Sequence, residues 1–507
     1  MRTLSASTLA VLVLAGCLSF ALPSLAGTPN STGSAMVSEY EQHVPEHLRS
    51  LVTSERYERV RTSLDNLRGR YFGQGLLDIH MISVVAASPC SDSLAFLLDQ
   101  FYTNPVVPKA LDAAAAGMQD LPPAYSMPNP WEAAEDGRQL LGLMVPFFAD
   151  WCTFLPRING THDNGLEYIQ DFAWFYYHNE AGQAFVQGRN PLDPAEPLLT
   201  GLKFTQDFSK QRGMFMDSPV STNFIEEWVS DPRIEIEDYQ KYRAGDYKSW
   251  NEFFAREIIV DHESRTIPSR PATMPLKEYP KRDYIVVSPT DCIMNPLVQV
   301  LNEGRRVSRK LIDNPLQLNT VLDVKGIPIS LDELLKGVDD KYRSRFVGGS
   351  GLSCVLMPNT YHHFHSPVNG RIVHAAVVSD GTYGYFDFPN WAPTSGDAGR
   401  PGSDFSQFQV FQRGVIIIEV KYTDLDGTAL TGYVASVPVG LNTIGSVVLD
   451  KDIVPGKVVK RGYTRLGNFL YGGSLNILLF SKGLAGGAVQ TRLGTQINLF
   501  DVGTSPE

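Results

Sequence analysis

The hydrophobic period of this chain changes once, and that change limits the folds open to it. From about residue 38 to 235 apolar residues recur at helical spacing. In "SDSLAFLLDQFY" Leu94, Leu97, Leu98 and Phe101 fall on one helical face, with Ser91 or Asp92 as the candidate N-cap and Pro105 just past the end. "NGLEYIQDFAWFYYHNEAG" predicts a second helix, rich in aromatics and facing the core. In "DYKSWNEFFAREI" Ser249 and Glu252 have the spacing of a capping box. Beyond it the runs become short and β-rich: "YIVVSP", "CVLMP", "RIVHAAVV", "VIIIEVKY" and "YVASVPVG", with Asp426-Gly427 suited to a hairpin turn. The expected class is α+β, a helical N-terminal domain over 27–235 and a β-rich domain over 236–507, the boundary falling between about 235 and 280.

The first residues, "MRTLSASTLAVLVLAGCLSFALPSLAG", have the early Arg, apolar run and small residues of a secretory signal peptide over 1–26. Export is therefore expected, with the protein periplasmic, secreted or lipid-anchored. Two exits stay open: a lipobox-like "LAGC" ending at Cys17, and a small-residue site at Ser24-Leu25-Ala26. The apolar run is shorter than a bilayer span, which argues against an uncleaved anchor.

Net charge is -11 and the 44 basic residues are spread thinly, so nucleic acid is not an expected partner. Five cysteines make no disulfide scaffold in 507 residues, and no CxxC spacing suggests zinc. In an oxidising compartment Cys90, Cys152, Cys292 and Cys354 could pair, in an order the spacing does not assign.

Two places carry unexplained chemistry. In "GNFLYGGSLNILLF" apolar residues that would make one continuous buried strand are interrupted by Gly472, Gly473 and Ser474. In "MPNTYHHFHSPVNG" three of the ten histidines, His362, His363 and His365, fall together. A polar loop of solvated imidazoles, a metal site and acid-base work are all open to them, although the cluster holds no carboxylate or Cys to complete a metal shell. "VVSPTDCIMN" puts Asp291 after a β run, at a strand end where an acid can orient a histidine from another segment. Ser474, a histidine and Asp291 make up the set that activates a hydroxyl nucleophile.

The order "YKSWNEFFAREI", "VVSPTDC", "MPNTYHHFHSPVNG", "YVASVPVGLNTIGSV", "VKRGYTRLGNFLYGGS" resembles the phosphatidylserine decarboxylase family of pyruvoyl enzymes over roughly residues 240 to 507. The resemblance implies that the chain cuts its own Gly473–Ser474 bond, leaving a β chain to 473 and an α chain of 474–507 whose Ser474 becomes a covalent pyruvoyl group. It further implies that His365, oriented by Asp291, takes the Ser474 proton; an imidazole of near-neutral pKa suits the protonation of carbon, for which His362 and His365 are the candidates, the resemblance tying His362 to decarboxylation while His365 serves maturation as well. His363 has no assigned role. Glycines at 472 and 473 remove side chains that would hinder the backward attack. Three positions depart from the family pattern: Cys292 stands where Gly is usual, Thr360 where an acid is usual, and Leu475 where a hydroxyl residue is usual.

The expected substrate is an amine bearing an α-carboxylate, with phosphatidylserine at a membrane surface placed ahead of a soluble aromatic amino acid such as tryptophan. The second choice rests on the added helical domain, which resembles that of the family's aromatic amino acid decarboxylase branch. It rests also on "GTYGYFDFPNWAPTSGDAGRPG", whose Tyr385, Phe388 and Trp391 are candidate substrate contacts. No metal is expected. A serine hydrolase using Ser474, His365 and Asp291, and a non-catalytic exported binding protein, are the competing classes; the hydrolase lacks a GxSxG elbow.

Overall fold

The computed structural model describes residues 84–119, 129–158, 179–186, 188–270, 285–303, 306–311, 315–324, 327–356, 359–379, 412–423, 427–440, 447–470 and 474–483, with Tyr168, Phe172 and Phe175 individually. The signal peptide with Cys17, the substrate candidates Tyr385, Phe388 and Trp391, and Gly472 and Gly473 lie outside the described residues.

The helical half is built from Ser91–Thr103, Val106–Gln119, Gly137–Thr153 and Thr200–Met216, with shorter helices between. Its centre is aromatic: Phe148 meets Phe172, Phe204 and Phe208 edge-on at centroid distances of 4.9, 4.8 and 4.9 Å. Edge-to-face contacts of this kind add to area burial. Cys90 and Cys152 form a disulfide that joins the start of the first helix to the end of the third. Ser91 is not the cap expected of it. The helix starts at Ser91, behind Cys90, and no side chain caps it. Ser249 does cap the helix Trp250–Phe254, accepting from the Glu252 amide at 3.1 Å, while Glu252 reaches back to the Lys248 amide at 2.6 Å.

The β half follows a small hairpin, β1 (Arg189–Asn190) and β2 (Asp193–Pro197). Its strands are β3 (Ile293–Pro296), β4 (Val298–Glu303), β5 (Arg306–Leu311), β6 (Val321–Val324), β7 (Ile327–Ser330), β8 (Ser350–Leu356), β9 (His363–His365), β10 (Gly370–Ser379), β11 (Gln412–Thr423), β12 (Ala429–Gly440), β13 (Val447–Leu449), β14 (Val458–Val459), β15 (Arg465–Phe469) and β16 (Ser474–Phe480). One sheet of seven runs β14-β10-β11-β12-β16-β8-β3; a sheet of three runs β13-β15-β9; a sheet of four runs β5-β4-β6-β7. β11 and β12 pair as neighbours and Gly427 has φ 84°; Asp426, the other half of the expected turn, lies outside the described residues.

Two strand expectations need correcting. "YIVVSP" forms no ladder over its described residues: it runs beside the histidine segment through single bonds, Val287 N–H to Pro367 C=O at 2.9 Å and His365 N–H to Pro289 C=O at 2.7 Å. Asp291 therefore precedes β3 rather than ending a strand. The run around Gly-Gly-Ser is also not one strand. It is two, β15 in the three-stranded sheet and β16 in the seven-stranded one, so the interruption is a crossing between sheets.

β16 is buried along its whole length. Leu475, Ile477 and Leu479 enter the main core with Val415 and Ile417 of β11 and Ala435, Val437 and Val439 of β12. By strand alternation Ser474 and Asn476 face the other side.

Candidate active site

The histidine segment is held from two directions. β9 pairs with β15, placing Phe364 opposite Gly467 and His363 opposite Asn468, and the Phe469 amide donates to the His362 carbonyl at 2.8 Å. Gly467 has to be glycine, because a Cβ there would stand 2.1 Å from the Val448 carbonyl oxygen and 2.7 Å from the Phe364 ring. From the other side the stretch 236–267 packs on it, Tyr239, Ile258 and Ile267 forming a small core with Tyr361. His362, His363 and His365 are 1%, 2% and 5% exposed. These are not solvated imidazoles, as a polar loop would have them.

Each ring has its own surroundings. His365 Nδ1 lies 3.2 Å from the Tyr463 carbonyl oxygen and its Nε2 lies 2.8 Å from the Tyr361 hydroxyl. A carbonyl only accepts, so Nδ1 carries the proton and Nε2 is the basic nitrogen, accepting from Tyr361. His362 stacks on Phe254 at 3.7 Å, and its Nδ1, buried, has no hydrogen-bond partner among the described residues. His363 donates from Nε2 to the Ala255 carbonyl at 2.9 Å and stacks on Tyr361, which makes it a brace between the Trp250–Phe254 turn and β9.

Burial sets the electrostatics. It lowers His365 to about 3 and His363 to about 4, and with the Arg256 charge it holds His362 well below the usual imidazole value. The near-neutral imidazole expected from the sequence is thus corrected: all three rings are neutral at neutral pH, ready to accept a proton but poor at keeping one. Burial also lifts the Tyr361 phenol well above its ordinary value, and the Glu257 and Asp291 charges reinforce it.

Asp291 is not in contact with His365. Its carboxylate takes a two-pronged bond from Arg270, Nε to Oδ1 at 2.8 Å and Nη2 to Oδ2 at 2.6 Å, and Arg270 also grips Asp238 at 2.6 Å. The segment carrying Asp291 nonetheless abuts the histidines: Thr290 Oγ1 donates to the Tyr361 carbonyl at 2.9 Å. The structure thus sets Arg270 against Asp291, and Tyr361 against His365.

Ser474, 3% exposed, opens β16 opposite Gly440 on one side and Leu356 on the other. The chain reaches it in five residue steps from Phe469, beside His362, a reach of at most about 18 Å. On the same face Asn476 accepts from Ser436 Oγ at 3.1 Å through Oδ1, while its Nδ2, fully buried, has no partner among the described residues. A buried donor left unpaired costs about 1–3 kcal/mol. A carbonyl group formed at position 474 would suit this setting, with an acceptor's partner two residues away and no bulky side chain opposite at Gly440. Among the described residues no group of three or more His, Cys, Asp or Glu could hold a metal, and no helix is long and apolar enough to cross a membrane.

Sequence reasoning missed Tyr361, Arg256, Arg270 and Asn476. Tyr361 and Arg256 sit inside quoted motifs; the Arg256 partners lie far off in sequence, since it donates to the Asn359 and Thr360 carbonyls at 2.8 and 3.1 Å.

Residues 250–498 match the family model described as phosphatidylserine decarboxylase. The phosphatidylserine decarboxylase proenzyme 3 of Schizosaccharomyces pombe is 29% identical over 279 residues, 55% of this chain and 23% of that protein. The proenzyme of Clostridium novyi is 26% identical over 306 residues, 59% of this chain and 84% of the relative, and that of Clostridium perfringens strain SM101 is 28% identical over 275 residues, 54% and 75%. The segment that holds the histidines, Asp291 and Ser474 therefore belongs to the phosphatidylserine decarboxylase family.

Proposed function

We propose that this chain is a self-processing carboxy-lyase that removes CO2 from the serine head group of phosphatidylserine, giving phosphatidylethanolamine. Family membership over 250–498 supports the reaction. The observation that carries it to this chain is the placement of Ser474: buried, first in its strand, directly after a glycine pair at the crossing from the histidine sheet.

In maturation His365 Nε2 is the proton acceptor. Its tautomer is fixed by the Tyr463 carbonyl, its depressed pKa keeps the ring neutral, and its one lone pair accepts from the Tyr361 hydroxyl. The Tyr361 hydroxyl passes the Ser474 proton on, giving its own proton to Nε2 as it takes the serine's, while Asp291 is held by Arg270. The attack of the Ser474 hydroxyl on the Gly473 carbonyl converts the peptide bond to an ester, whose breakdown leaves a new amino-terminal carbonyl on the 474–507 chain. That pyruvoyl group supplies an electron sink when CO2 departs. Asn476 Nδ2 is the donor closest in the strand to hold an oxygen at that end. His362, neutral and stacked on Phe254, returns a proton to carbon from its ring N–H, its Nδ1 having no hydrogen-bond partner among the described residues.

The same reading places the protein outside the cytoplasm, its site working at a lipid surface. A disulfide between Cys90 and Cys152 suits an oxidising compartment, and the N-terminal leader supports export. The test supplies processed protein with phosphatidylserine in detergent micelles and, separately, with free tryptophan, and measures CO2 and the amine formed. Phosphatidylethanolamine from the lipid is expected. Turnover of tryptophan with none of the lipid overturns the substrate assignment.

A further inference from the structure

Among the described residues, the two cysteines outside the Cys90–Cys152 bond, Cys292 and Cys354, are not isolated from each other. In the β3–β8 pairing Met294 stands opposite Cys354 and Ile293 opposite Val355. Cys292, one residue before β3, continues that register on the same face as Cys354, a diagonal neighbour across the ladder. Cys354 is fully buried; Cys292 is half-exposed, its sulfur 3.6 Å from the Ser288 hydroxyl, and it perturbs the Cys354 thiol electrostatically. A diagonal pair starts near the upper end of the Cα separation a disulfide spans, so closure asks for a small backbone shift at Cys292, which lies just outside the ladder. The pair also lies close to the reaction: Cys292 follows Asp291, Cys354 faces Asn476 across β8 and β16, and Leu356 faces Ser474.

We propose that Cys292 and Cys354 are a redox modification site, a dithiol that closes to a second disulfide when it meets a disulfide oxidant. Its partner chemistry is that of a small-molecule disulfide or an oxidising dithiol protein. The half-exposed Cys292 thiolate attacks one sulfur of the oxidant and expels the other as a thiol, leaving a mixed disulfide. Cys354 then loses its proton and attacks the Cys292 sulfur, expelling the second thiol. Two thiols are oxidised, one disulfide of the oxidant is reduced, and two protons are released. The second step is the slow one, because burial holds the Cys354 thiol above its usual pKa. The bond, once closed, ties the segment that carries Asp291 to the strand paired with Ser474. The inference rests on the cysteine geometry and stands whether or not the proposed reaction does, since both residues lie on the same side of the proposed cut.

The experiment incubates the purified full chain with reduced and oxidised glutathione in graded ratios, quenches with acid, alkylates under denaturing conditions and maps the peptides. The expected result is a Cys292–Cys354 linkage, the protein lighter by two hydrogens and with two fewer alkylated cysteines, closing faster as pH rises. Cys292→Ser should stay unlinked. Cys354→Ser should stop at a glutathione adduct on Cys292. A wild type that keeps both thiols open to alkylation under excess oxidised glutathione overturns the proposal, and so does one that stalls with glutathione on Cys292.

Discussion

The Tyr361 hydroxyl lies 2.8 Å from Nε2 of His365, four residues along the chain, and both groups are buried. That contact, together with the Tyr463 carbonyl at Nδ1, decides which nitrogen of His365 is the base. Removing the hydroxyl alone should therefore loosen the base without deleting it. Tyr361→Phe is expected to slow self-cleavage about ten-fold, about 1.4 kcal/mol in the barrier, while the fold stays intact by circular dichroism. A Tyr361→Phe protein that matures at the wild-type rate contradicts the role given to the phenol.

His362 and His365 act at different times, so their losses should separate. His365→Ala is expected to remain a single chain. His362→Ala is expected to be cut, then to decarboxylate two to four powers of ten more slowly, the range seen when a general acid or base is removed. Gel analysis of chain composition followed by a CO2 assay on the cut fraction reads both. A cut His365→Ala protein would reverse the assignment.

His363 braces β9 against Ala255 and stacks on Tyr361. Its loss should appear in stability rather than in chemistry. His363→Phe keeps the ring stack and removes the donor, leaving the Ala255 carbonyl unpaired at a cost of about 1–3 kcal/mol. The urea midpoint should fall while self-cleavage proceeds. A variant with an unchanged midpoint, or one that is stable yet uncut, would show that His363 does something else.

Acid should destabilise the protein in a defined window. Burial holds His365 at about 3 and His363 at about 4 in the folded chain, against an ordinary imidazole value near 6.5. Between those values the unfolded chain binds protons that the folded one refuses, so stability rises with pH there. The contribution is complete above pH 6.5 and is lost progressively as pH falls toward 4 and then 3. Urea midpoints at pH about 7.5 and about 5 should therefore differ, with the difference reduced in His363→Phe. Equal midpoints would mean that the rings are not buried neutral.

What could be read in advance was whatever depends on local pattern. Leu94, Leu97, Leu98 and Phe101 announce a helix because burial repeats with its turn, and all four are buried. The β runs around Cys354, Ile416 and Val434 are strands because apolar, β-branched residues fit a sheet covered on both faces. The Ser249 cap follows from one side chain three residues from its partner. "YIVVSP" has the composition of a strand but no neighbour to ladder with, since its partner is the histidine segment and single bonds. The crossing at Gly-Gly-Ser, the Arg270–Asp291 pair and the Tyr361–Tyr239 contact depend on segments meeting across tens to more than a hundred residues, which no local period records. The site was legible as an inventory of Ser474, His362, His365 and Asp291; its wiring, with Tyr361 on His365 and Arg270 on Asp291, was not.

The central claim is that Ser474 cuts the bond before it and becomes a carbonyl cofactor. Intact mass analysis of the purified protein tests this in one step. The account predicts a chain ending at Gly473 and a second spanning 474–507, the latter carrying a pyruvoyl end that resists Edman degradation and takes up a carbonyl-reactive hydrazine, with Ser474→Ala remaining one chain. A wild-type protein that stays a single intact chain yet releases CO2 from phosphatidylserine would contradict it.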